Sequence, residues 1–194
     1  MTRQAGRLRI IGGTHRSRRI EIPPGENARP TGDRVREALF SILASGGGGG
    51  PDLVDSHVLD ACAGSGALGI EALSRGAVQA TLFDTDPRAV TQIRQNLEAL
   101  DLTDRATVER ADAGKPPAGR PCQIVFLDPP YGSNTAQIAP VALAAAGWIA
   151  PGGLLVIETR RGTDIDPGDG FAPLDERSYG DTTLHFIAWT GRNA

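Results

Sequence analysis

A four-residue segment of the chain carries groups that can activate an aromatic amine. Asp128, Pro129, Pro130 and Tyr131 follow directly after the apolar run Ile124–Leu127. An amine on an aromatic ring is a poor nucleophile because its lone pair is delocalised into the ring. If the Asp128 carboxylate and the Pro129 carbonyl accept its two hydrogens, the lone pair is directed at an electrophilic carbon. The prolines restrict the backbone so that both acceptors converge, and the Tyr131 ring offers a stacking face. These four residues are therefore candidate catalytic residues, although the segment alone is also consistent with a rigid turn.

A glycine-rich segment predicts a cofactor site. The expected strand Val58–Cys62 runs into Gly64, Gly66 and Gly69, and a helix is expected from Ala67. Glycines at such a turn let the backbone approach a ligand closely. Asp84 lies twenty residues after Gly64, where a carboxylate suits the ribose hydroxyls of an adenosine. Since NAD and S-adenosylmethionine both contain an adenosine, these residues alone do not choose between them.

Two further acids favour S-adenosylmethionine. Asp60, near the end of the first strand, would orient the methionine ammonium through the glycine loop, and Asp112 would accept a hydrogen bond from the adenine amine. Taken alone, Asp112 fits a solvated turn better than a ligand contact. Asp86 precedes Pro87 and is a weaker candidate, because it also fits a helix N-cap.

The elements that must position these residues alternate between strands and helices. An α/β fold is expected, namely a Rossmann-like doubly wound sheet with its ligand site at the carboxyl ends of parallel strands. Glu176–Tyr179 and Thr183–Trp189 are expected to close the sheet as a C-terminal antiparallel hairpin. The other expected strands are Val58–Cys62, Ala80–Asp84, Ala106–Glu109, Gln123–Asp128 and Leu154–Glu158, with helices from Ala67, Pro87 and Thr135.

Before this alternation begins, the sequence predicts a small N-terminal extension spanning residues 1–45. Arg7–Ile11 and Arg18–Ile22 are expected to form a β-hairpin, and Thr31 is expected to cap a helix that carries the apolar positions of residues 35, 39, 42 and 43. Residues 46–51 contain five consecutive glycines and predict a flexible linker. Residues 52–194 then form the main domain.

The charge of the chain is divided unevenly. Residues 1–36 hold nine arginines against three acidic residues, a local charge of +6, whereas the whole chain carries −3. A basic segment on an acidic body indicates a polyanionic partner, and the alternative is a solvated surface. Arg9, Arg16, Arg18 and Arg19 are the candidate contacts to nucleic-acid phosphates.

The motifs together resemble the bacterial 16S ribosomal RNA guanine-N2 methyltransferases, which have the class I Rossmann-like fold. The resemblance rests on residues 9–13, 29–40, 59–75, 128–131 and 179–182 and covers almost the whole chain. It implies S-adenosylmethionine bound by Gly64, Gly66, Asp84 and Asp112, and a guanine held by residues 128–131. It also implies 16S ribosomal RNA in the small subunit, or its assembly intermediate, as substrate, and residues 29–36 lying over the cofactor.

Two positions depart from the pattern of that family. Cys62 stands where relatives usually carry a large aromatic residue, and Gln123 where they often carry Asp. Neither residue supplies an acceptor in the expected chemistry, so the expected consequence is limited to local packing.

Other classes of protein fit the sequence less well. Ile149–Ile157, among the longest uncharged apolar runs, is too short for a bilayer and is interrupted by Pro and Gly, and no apolar signal segment follows the arginine-rich start. Cys62 and Cys122 are sixty positions apart and the three histidines are scattered, so reduced thiols and no metal site are expected. We expect a cytoplasmic monomer.

Three alternatives remain open from the residues. Adenine N6 in DNA or RNA is the nearest enzymatic one, because Asp-Pro-Pro-Tyr suits either purine. An NAD-dependent oxidoreductase would use the glycine loop but leave residues 128–131 without a role. A non-enzymatic nucleic-acid binder would use the basic segment but neither Asp84 nor Asp112.

Overall fold

Residues 7–23 and 30–191, which the computed structural model describes, form two β-sheets and the helices that pack on them. The strands are β1 (Arg7–Arg9), β2 (Arg19–Glu21), β3 (His57–Asp60), β4 (Gln79–Asp84), β5 (Ala106–Arg110), β6 (Cys122–Leu127), β7 (Ile149–Arg160), β8 (Phe171–Tyr179) and β9 (Thr182–Trp189). The helices are α1 (Pro30–Ala44), α2 (Ala67–Ser74), α3 (Pro87–Ala99) and α4 (Thr135–Ala145), and a 3₁₀ turn covers Thr103–Arg105.

The larger sheet has the strand order β5-β4-β3-β6-β7-β9-β8. The first five strands of this order pair in parallel, and β9 pairs antiparallel with both β7 and β8. The expected doubly wound sheet with a C-terminal antiparallel hairpin is therefore confirmed, as is the separate N-terminal hairpin of β1 and β2.

The direction of chain progression reverses between β3 and β6. From β3 the chain moves outward through β4 to β5, and it then returns to the other side of β3 with β6. Crossover connections diverge at such a point and leave a crevice at the carboxyl ends of the strands, where ligands of open α/β sheets bind.

Two apolar clusters cover the two faces of the sheet. One joins β3, β4, β6 and β7 to helices α1, α2 and α3, and it also includes Ile10 and Ile20 of the N-terminal hairpin. The other lies on the opposite face, where α4 packs beside Trp148 and Trp189. Because the hairpin and α1 share a cluster with the sheet, the N-terminal residues are packed into the body of the protein.

A buried carboxylate attaches the N-terminal hairpin to α2. Glu71 has no exposed surface, and its two oxygens accept the backbone N–H groups of Ile11 and Gly12, each at 2.8 Å. Arg75 Nε donates to the same carboxylate at 2.6 Å. Since Ile11 donates to this side chain, β1 ends at Arg9 and is shorter than the expected Arg7–Ile11.

Two polar side chains add to this attachment. Ser74 donates to the Gly12 carbonyl at 2.6 Å and accepts the His15 N–H at 2.9 Å. Asn96, which is 4% exposed, accepts the Glu21 N–H at 3.0 Å and donates to the Glu21 carbonyl at 2.9 Å. The hairpin is thus held from both α2 and α3.

The glycine segment differs from the expected flexible linker. Gly48 is buried, and a Cβ there would lie 2.7 Å from a ring carbon of Phe186. A Cβ at Gly50 would lie 2.7 Å from Leu154 Cβ. A glycine run was expected to be unable to pack, but here the missing side chains allow the backbone to lie directly against the sheet residues.

Several element boundaries also differ from the expected ones. Helix α1 begins at Pro30, so the expected cap Thr31 lies inside it. Strand β7 begins at Ile149 and β8 at Phe171, both before the expected residues. Each contains a proline, Pro151 where the register with β6 is irregular and Pro173 in the edge strand β8, and a proline at such a position does not end a strand. No helix in the described ranges has the length and apolar content needed to cross a bilayer.

Candidate active site

A cavity of about 840 Å³ opens at the carboxyl ends of the parallel strands, a size within the usual range for small-molecule sites. Its floor is formed by the turns that follow β3, β4, β5 and β6, together with the end of β7. The predicted site residues that line it are Gly64, Asp84, Asp112, Asp128, Pro129, Pro130 and Tyr131. Asp60 and Gly66 do not line the cavity.

The glycine loop curves beneath the cavity because its glycines have left-handed backbones. Gly64 has φ of 53° and Gly66 has φ of 82°, a region that side chains rarely adopt. Gly66 is the N-cap residue of α2, and a Cβ there would lie 3.3 Å from Ile70, Ile93 and Leu82. Gly66 therefore shapes the loop. It does not line the cavity, so its expected contact with the cofactor stays a prediction.

Asp84 is held in place by two backbone groups. The Gly64 N–H donates to its Oδ2 at 2.8 Å and the Asp86 N–H donates to its Oδ1 at 2.8 Å. Each carboxylate oxygen has a second lone pair, so both oxygens can still accept a hydroxyl from the cavity side. The hydrogen bond from Gly64 also joins Asp84 to the glycine loop, so a ligand in the cavity would contact the acid and the loop together.

Asp60 lies outside the cavity, so the action expected of it on a ligand ammonium would pass through the glycine loop. It is 1% exposed and lies beneath the loop, where its Oδ2 accepts the Gly69 N–H at 2.9 Å. Its Oδ1 is fully buried, and the Cys62 N–H, like that of Gly69, favours the ionised carboxylate. Burial raises the pKa of Asp60 to about 7, and the Gly69 N–H opposes this shift. Asp60 therefore fixes the start of α2 and has no direct access to a ligand ammonium.

The remaining acids of the expected cofactor site each close a turn. Asp112 Oδ1 accepts the Gly114 N–H at 2.8 Å while the residue remains exposed at the cavity. Asp86 caps α3 by accepting the Arg88 N–H at 2.8 Å, with Pro87 at the first helical position. Both predicted turn roles are present, and both residues also line the cavity.

The Asp-Pro-Pro-Tyr segment leaves β6 at the edge of the cavity. Pro129 is buried and Asp128 is exposed, so the acid faces the opening. Tyr131 is 39% exposed, and its hydroxyl lies 3.0 Å from Oγ1 of Thr182 at the start of β9. The C-terminal hairpin therefore holds the tyrosine that is expected to stack on a base.

The N-terminal elements form a further wall of the cavity, through Leu8, Ile22, Gly32, Asp33, Arg36 and Leu39. Arg36 is buried, and its guanidinium donates to the Arg9 carbonyl at 2.7 Å and to Asp33 at 3.1 Å. Burial lowers the pKa of Arg36, whereas Asp33 and Glu71 oppose that shift. Arg29, which was expected to lie over the cofactor, falls outside the described residues.

Sequence reasoning did not select Arg36 or Glu158 individually, although both line the cavity. Glu158 ends an apolar run in β7, as Asp84 does in β4 and Asp128 after β6. The signal that could have found it is therefore the one that found the other two acids. Arg36 stands in the segment that the family resemblance had placed over the cofactor.

The predicted phosphate-contacting arginines are exposed and lie away from the cavity floor. Arg9 and Arg19 are register partners in the hairpin, and Arg16 and Arg18 lie in or beside its turn. Arg18 also donates to the carbonyl of Ala99 at 2.7 Å. The hairpin that carries these arginines contributes Leu8 to the cavity wall.

Among the described residues, neither the two cysteines nor any cluster of candidate metal ligands forms a second site. Cys62 lines the cavity, and burial raises its pKa and raises the pKa of Cys122 to about 12. Gln123, the other departure, accepts the His57 N–H at 2.7 Å. No group of three or more candidate metal ligands occurs among the described residues.

Comparison with known proteins gives consistent similarities. A family model described as "Conserved hypothetical protein 95" matches residues 8–188. Ribosomal RNA small subunit methyltransferase D of Haemophilus influenzae is 36% identical over 180 residues, covering 90% of each chain. The Escherichia coli K12 protein of the same name is 40% identical over 156 residues, covering 80% of this chain and 76% of its own. The solved structure of Escherichia coli yhhF superposes with a TM-score of 0.81 at 36% identity, covering 95% and 98% of the two chains.

Proposed function

The chain belongs to the family described as Conserved hypothetical protein 95, and from this premise we propose that it methylates the exocyclic N2 amine of a guanine in 16S ribosomal RNA of the small subunit. Its relatives named ribosomal RNA small subunit methyltransferase D support this substrate class. The observation that carries the proposal is the meeting of Asp128 and Tyr131 with Gly64 and Asp84 in one cavity. The methyl donor is S-adenosylmethionine.

The residues of the cavity fit this cofactor. Asp84, already oriented by two backbone N–H groups, is suited to accept the ribose hydroxyls, and Asp112 to accept the adenine amine. Gly64 allows the methionine part to approach the backbone, while Asp60 and Gly66 keep the loop in shape from below. When bound, S-adenosylmethionine supplies a methyl group made electrophilic by its sulfonium.

Asp128, Pro129 and Tyr131 act on the base. The Asp128 carboxylate and the Pro129 carbonyl accept the two hydrogens of the amine and turn its lone pair toward the methyl carbon. With the cofactor held by Gly64, Asp84 and Asp112, its sulfonium would supply the methyl group to this nitrogen and depart as a neutral thioether. One amine proton then leaves, and the Asp128 carboxylate is placed to receive it. Tyr131, held by Thr182, stacks on the base, which must be unpaired or flipped out to reach the cavity.

The exposed arginines of the N-terminal hairpin supply the grip on RNA in this proposal. Arg9, Arg16, Arg18 and Arg19 contact phosphates beside the target nucleotide, and the attachment of the hairpin to α2 and α3 fixes their distance from the cavity. We further propose that the protein acts in the cytoplasm, where the ribosomal subunit is assembled, and that it acts as a monomer.

Mass spectrometry of ribosomal RNA, digested to nucleosides and separately to sequence-specific ribonuclease fragments, tests this function. RNA from cells lacking the protein should lose N2-methylguanosine at one position of 16S ribosomal RNA, and expression of the wild-type protein should restore it. As a control, Asp52→Ala, which changes an exposed residue outside the cavity, should also restore it. Loss of N6-methyladenosine instead would establish the adenine alternative, and an unchanged nucleoside profile would contradict the proposal.

The role of Asp128 has a kinetic test. We expect Asp128→Ala to bind S-adenosylmethionine nearly normally but to lower single-turnover methyl transfer by at least about a hundredfold, the scale for losing one acceptor aimed at a transition state. Asp128→Asn should fall between wild type and Ala, because its amide oxygen can still accept one hydrogen bond. Transfer by Asp128→Ala at close to the wild-type rate would reduce the segment to a turn.

A further inference from the structure

A second carboxylate lies beside Asp128 in the cavity. Strands β6 and β7 pair in parallel with Phe126 opposite Val156 and Leu127 opposite Ile157. The residue after Leu127 is Asp128 and the residue after Ile157 is Glu158, so an acid follows this pair on each side. Both line the same cavity, so the register of the sheet brings two acidic residues to neighbouring positions on the side where the base is expected.

Glu158 lies within a strand, whereas Asp128 lies in the turn after one. Glu158 lies within β7, where it is also the register partner of Leu184 in β9, and it is half-buried, whereas Asp128 follows the last residue of β6 and is exposed. Pairing with β9 fixes the backbone position of Glu158 in the sheet. The two acids therefore start from neighbouring backbone positions at this edge of the sheet.

From this placement we propose that Glu158 is a specificity-determining residue that accepts the N1–H of the target guanine while Asp128 accepts its N2 amine. The inference rests on the proposed function and deepens it. On guanine the reactive amine has a second donor, N1–H, directly beside it. On adenine the N6 amine has an unprotonated N1 beside it, which is an acceptor. Two adjacent carboxylates therefore match the guanine edge and oppose the adenine edge.

Adenine is disfavoured because its unprotonated N1 would place one acceptor opposite another, the Glu158 carboxylate. A carboxylate opposite an unprotonated ring nitrogen gains no hydrogen bond, although it has lost water on closing against the base. Sites that are built to bind a substrate N–H reject analogues that lack it more strongly than sites that depend on shape. Glu158 thereby separates the two purines, between which Asp-Pro-Pro-Tyr does not discriminate.

The test replaces the N1–H while retaining the reactive amine. After mass spectrometry has located the modified guanine, 16S ribosomal RNA is assembled by ligation with either guanine or 2-aminopurine at that nucleotide and reconstituted into small subunits. 2-Aminopurine keeps the 2-amine but carries an unprotonated N1. Single-turnover transfer is then measured on both substrates with wild type, Glu158→Gln and the control Glu98→Gln, which alters an exposed glutamate on α3.

We expect wild type and Glu98→Gln to prefer guanine by about tenfold or more, and Glu158→Gln to reduce that preference at least about tenfold. The glutamine amide can donate to the unprotonated N1, so its rate on 2-aminopurine should rise relative to guanine. Comparing the ratio of rates across the two enzymes cancels the effect of the missing O6 in 2-aminopurine.

The other outcomes are assigned as follows. An equal loss of rate on both bases by Glu158→Gln, or an unchanged preference, would overturn the role of Glu158 while leaving guanine methylation in place. Failure of the wild-type protein to methylate the guanine subunit would instead contradict the proposed function. Cofactor binding by Glu158→Gln, measured by calorimetry, should equal that of wild type. This result would distinguish a role in recognising the base from a general loss of structure.

Discussion

Asp84 connects the glycine loop to the expected ribose position, so its removal has a calculable effect. Asp84→Ala removes a charged acceptor in a partly buried site and leaves the Gly64 and Asp86 N–H groups without their partner. We expect S-adenosylmethionine binding to weaken by about 1–3 kcal/mol, measured by isothermal titration calorimetry. Asp104→Ala, an exposed change away from the cavity, is the matched control. Equal affinities for wild type and Asp84→Ala would remove Asp84 from the cofactor site.

Asp60 makes the stability of the protein depend on pH in an unusual direction. Its pKa is raised by burial to about 7, above the roughly 3.9 of an unfolded aspartate. Between these values the folded state holds a proton that the unfolded state has lost, so the stability contributed by this group falls as pH rises and is lost above the folded pKa. The fall is on the order of 4 kcal/mol at about 1.4 kcal/mol per pH unit.

Asp60→Asn is the variant that isolates this effect, because it cannot ionise. We expect urea unfolding to show that the wild type loses more stability than Asp60→Asn between pH 4.5 and pH 7.5, whereas Asp52→Asn should follow the wild type. If wild type and Asp60→Asn change in parallel, the carboxyl is not protonated in the folded protein at the lower pH.

At the scale of elements, Asn96 joins the N-terminal hairpin to the cofactor loop. Its side-chain amide donates to the carbonyl of Glu21 in β2 and, at 3.0 Å, to the carbonyl of Ser65 in the glycine loop. We expect Asn96→Ala to lower the free energy of unfolding by about 1–3 kcal/mol, because it leaves buried backbone groups unsatisfied. Affinity for S-adenosylmethionine should also fall, by a few-fold, since Ser65 loses its restraint.

The control for this prediction is Gln95→Ala, which alters the exposed neighbour of Asn96 on the same helix. Denaturant melts and calorimetry on the two variants should separate helix propensity from the loss of the link. A loss of stability without any change in cofactor affinity would show that the hairpin and the loop are energetically independent.

The elements that could be predicted from the sequence are those with strong local periodicity. Apolar strands ended by Asp84 and Asp128 located the sheet and the correct edge of it. Asp60 ends a strand in the same way, yet its side chain lies beneath the loop. The direction of a side chain at a strand end depends on the turn that follows, so sequence spacing did not distinguish Asp60 from the acids that reach the cavity.

The packing of the glycine segment could not be predicted for a different reason. A run of glycines has no side-chain pattern, and its preference for a flexible state is a matter of backbone entropy. Whether that entropy is lost depends on the distant surface it meets, which here is formed by Phe186 and Leu154. The same limit applies to Glu71, whose partners Ile11 and Gly12 lie 60 and 59 positions earlier in the chain.

At the scale of the whole molecule, a basic hairpin sits on a chain of net charge −3. Replacing Arg16, Arg18 and Arg19 together by Gln should lower affinity for 16S ribosomal RNA and flatten its salt dependence, without changing cofactor binding. The slope is that of the logarithm of the binding constant against the logarithm of the salt concentration, measured by filter-binding titrations. Each lost phosphate contact should reduce the steepness of this slope by about 0.7–0.9.

The matched control removes the same charge elsewhere. Arg94, Arg120 and Arg177 are exposed residues outside the hairpin, and their joint replacement by Gln should leave the salt slope close to that of wild type. If the two triple variants flatten the slope equally, the effect comes from net charge, and the hairpin has no special contact with RNA.

The long separation between the hairpin and its attachment points has a consequence during synthesis on the ribosome. Asn96 lies 75 positions after Glu21, so at about 5–20 residues per second the hairpin is made roughly 4–15 s before this partner exists. The hairpin therefore stays without its contacts to α3 for that time. Until then its arginines are carried by an undocked nascent chain, and one wall of the cavity is completed only when α3 has been translated.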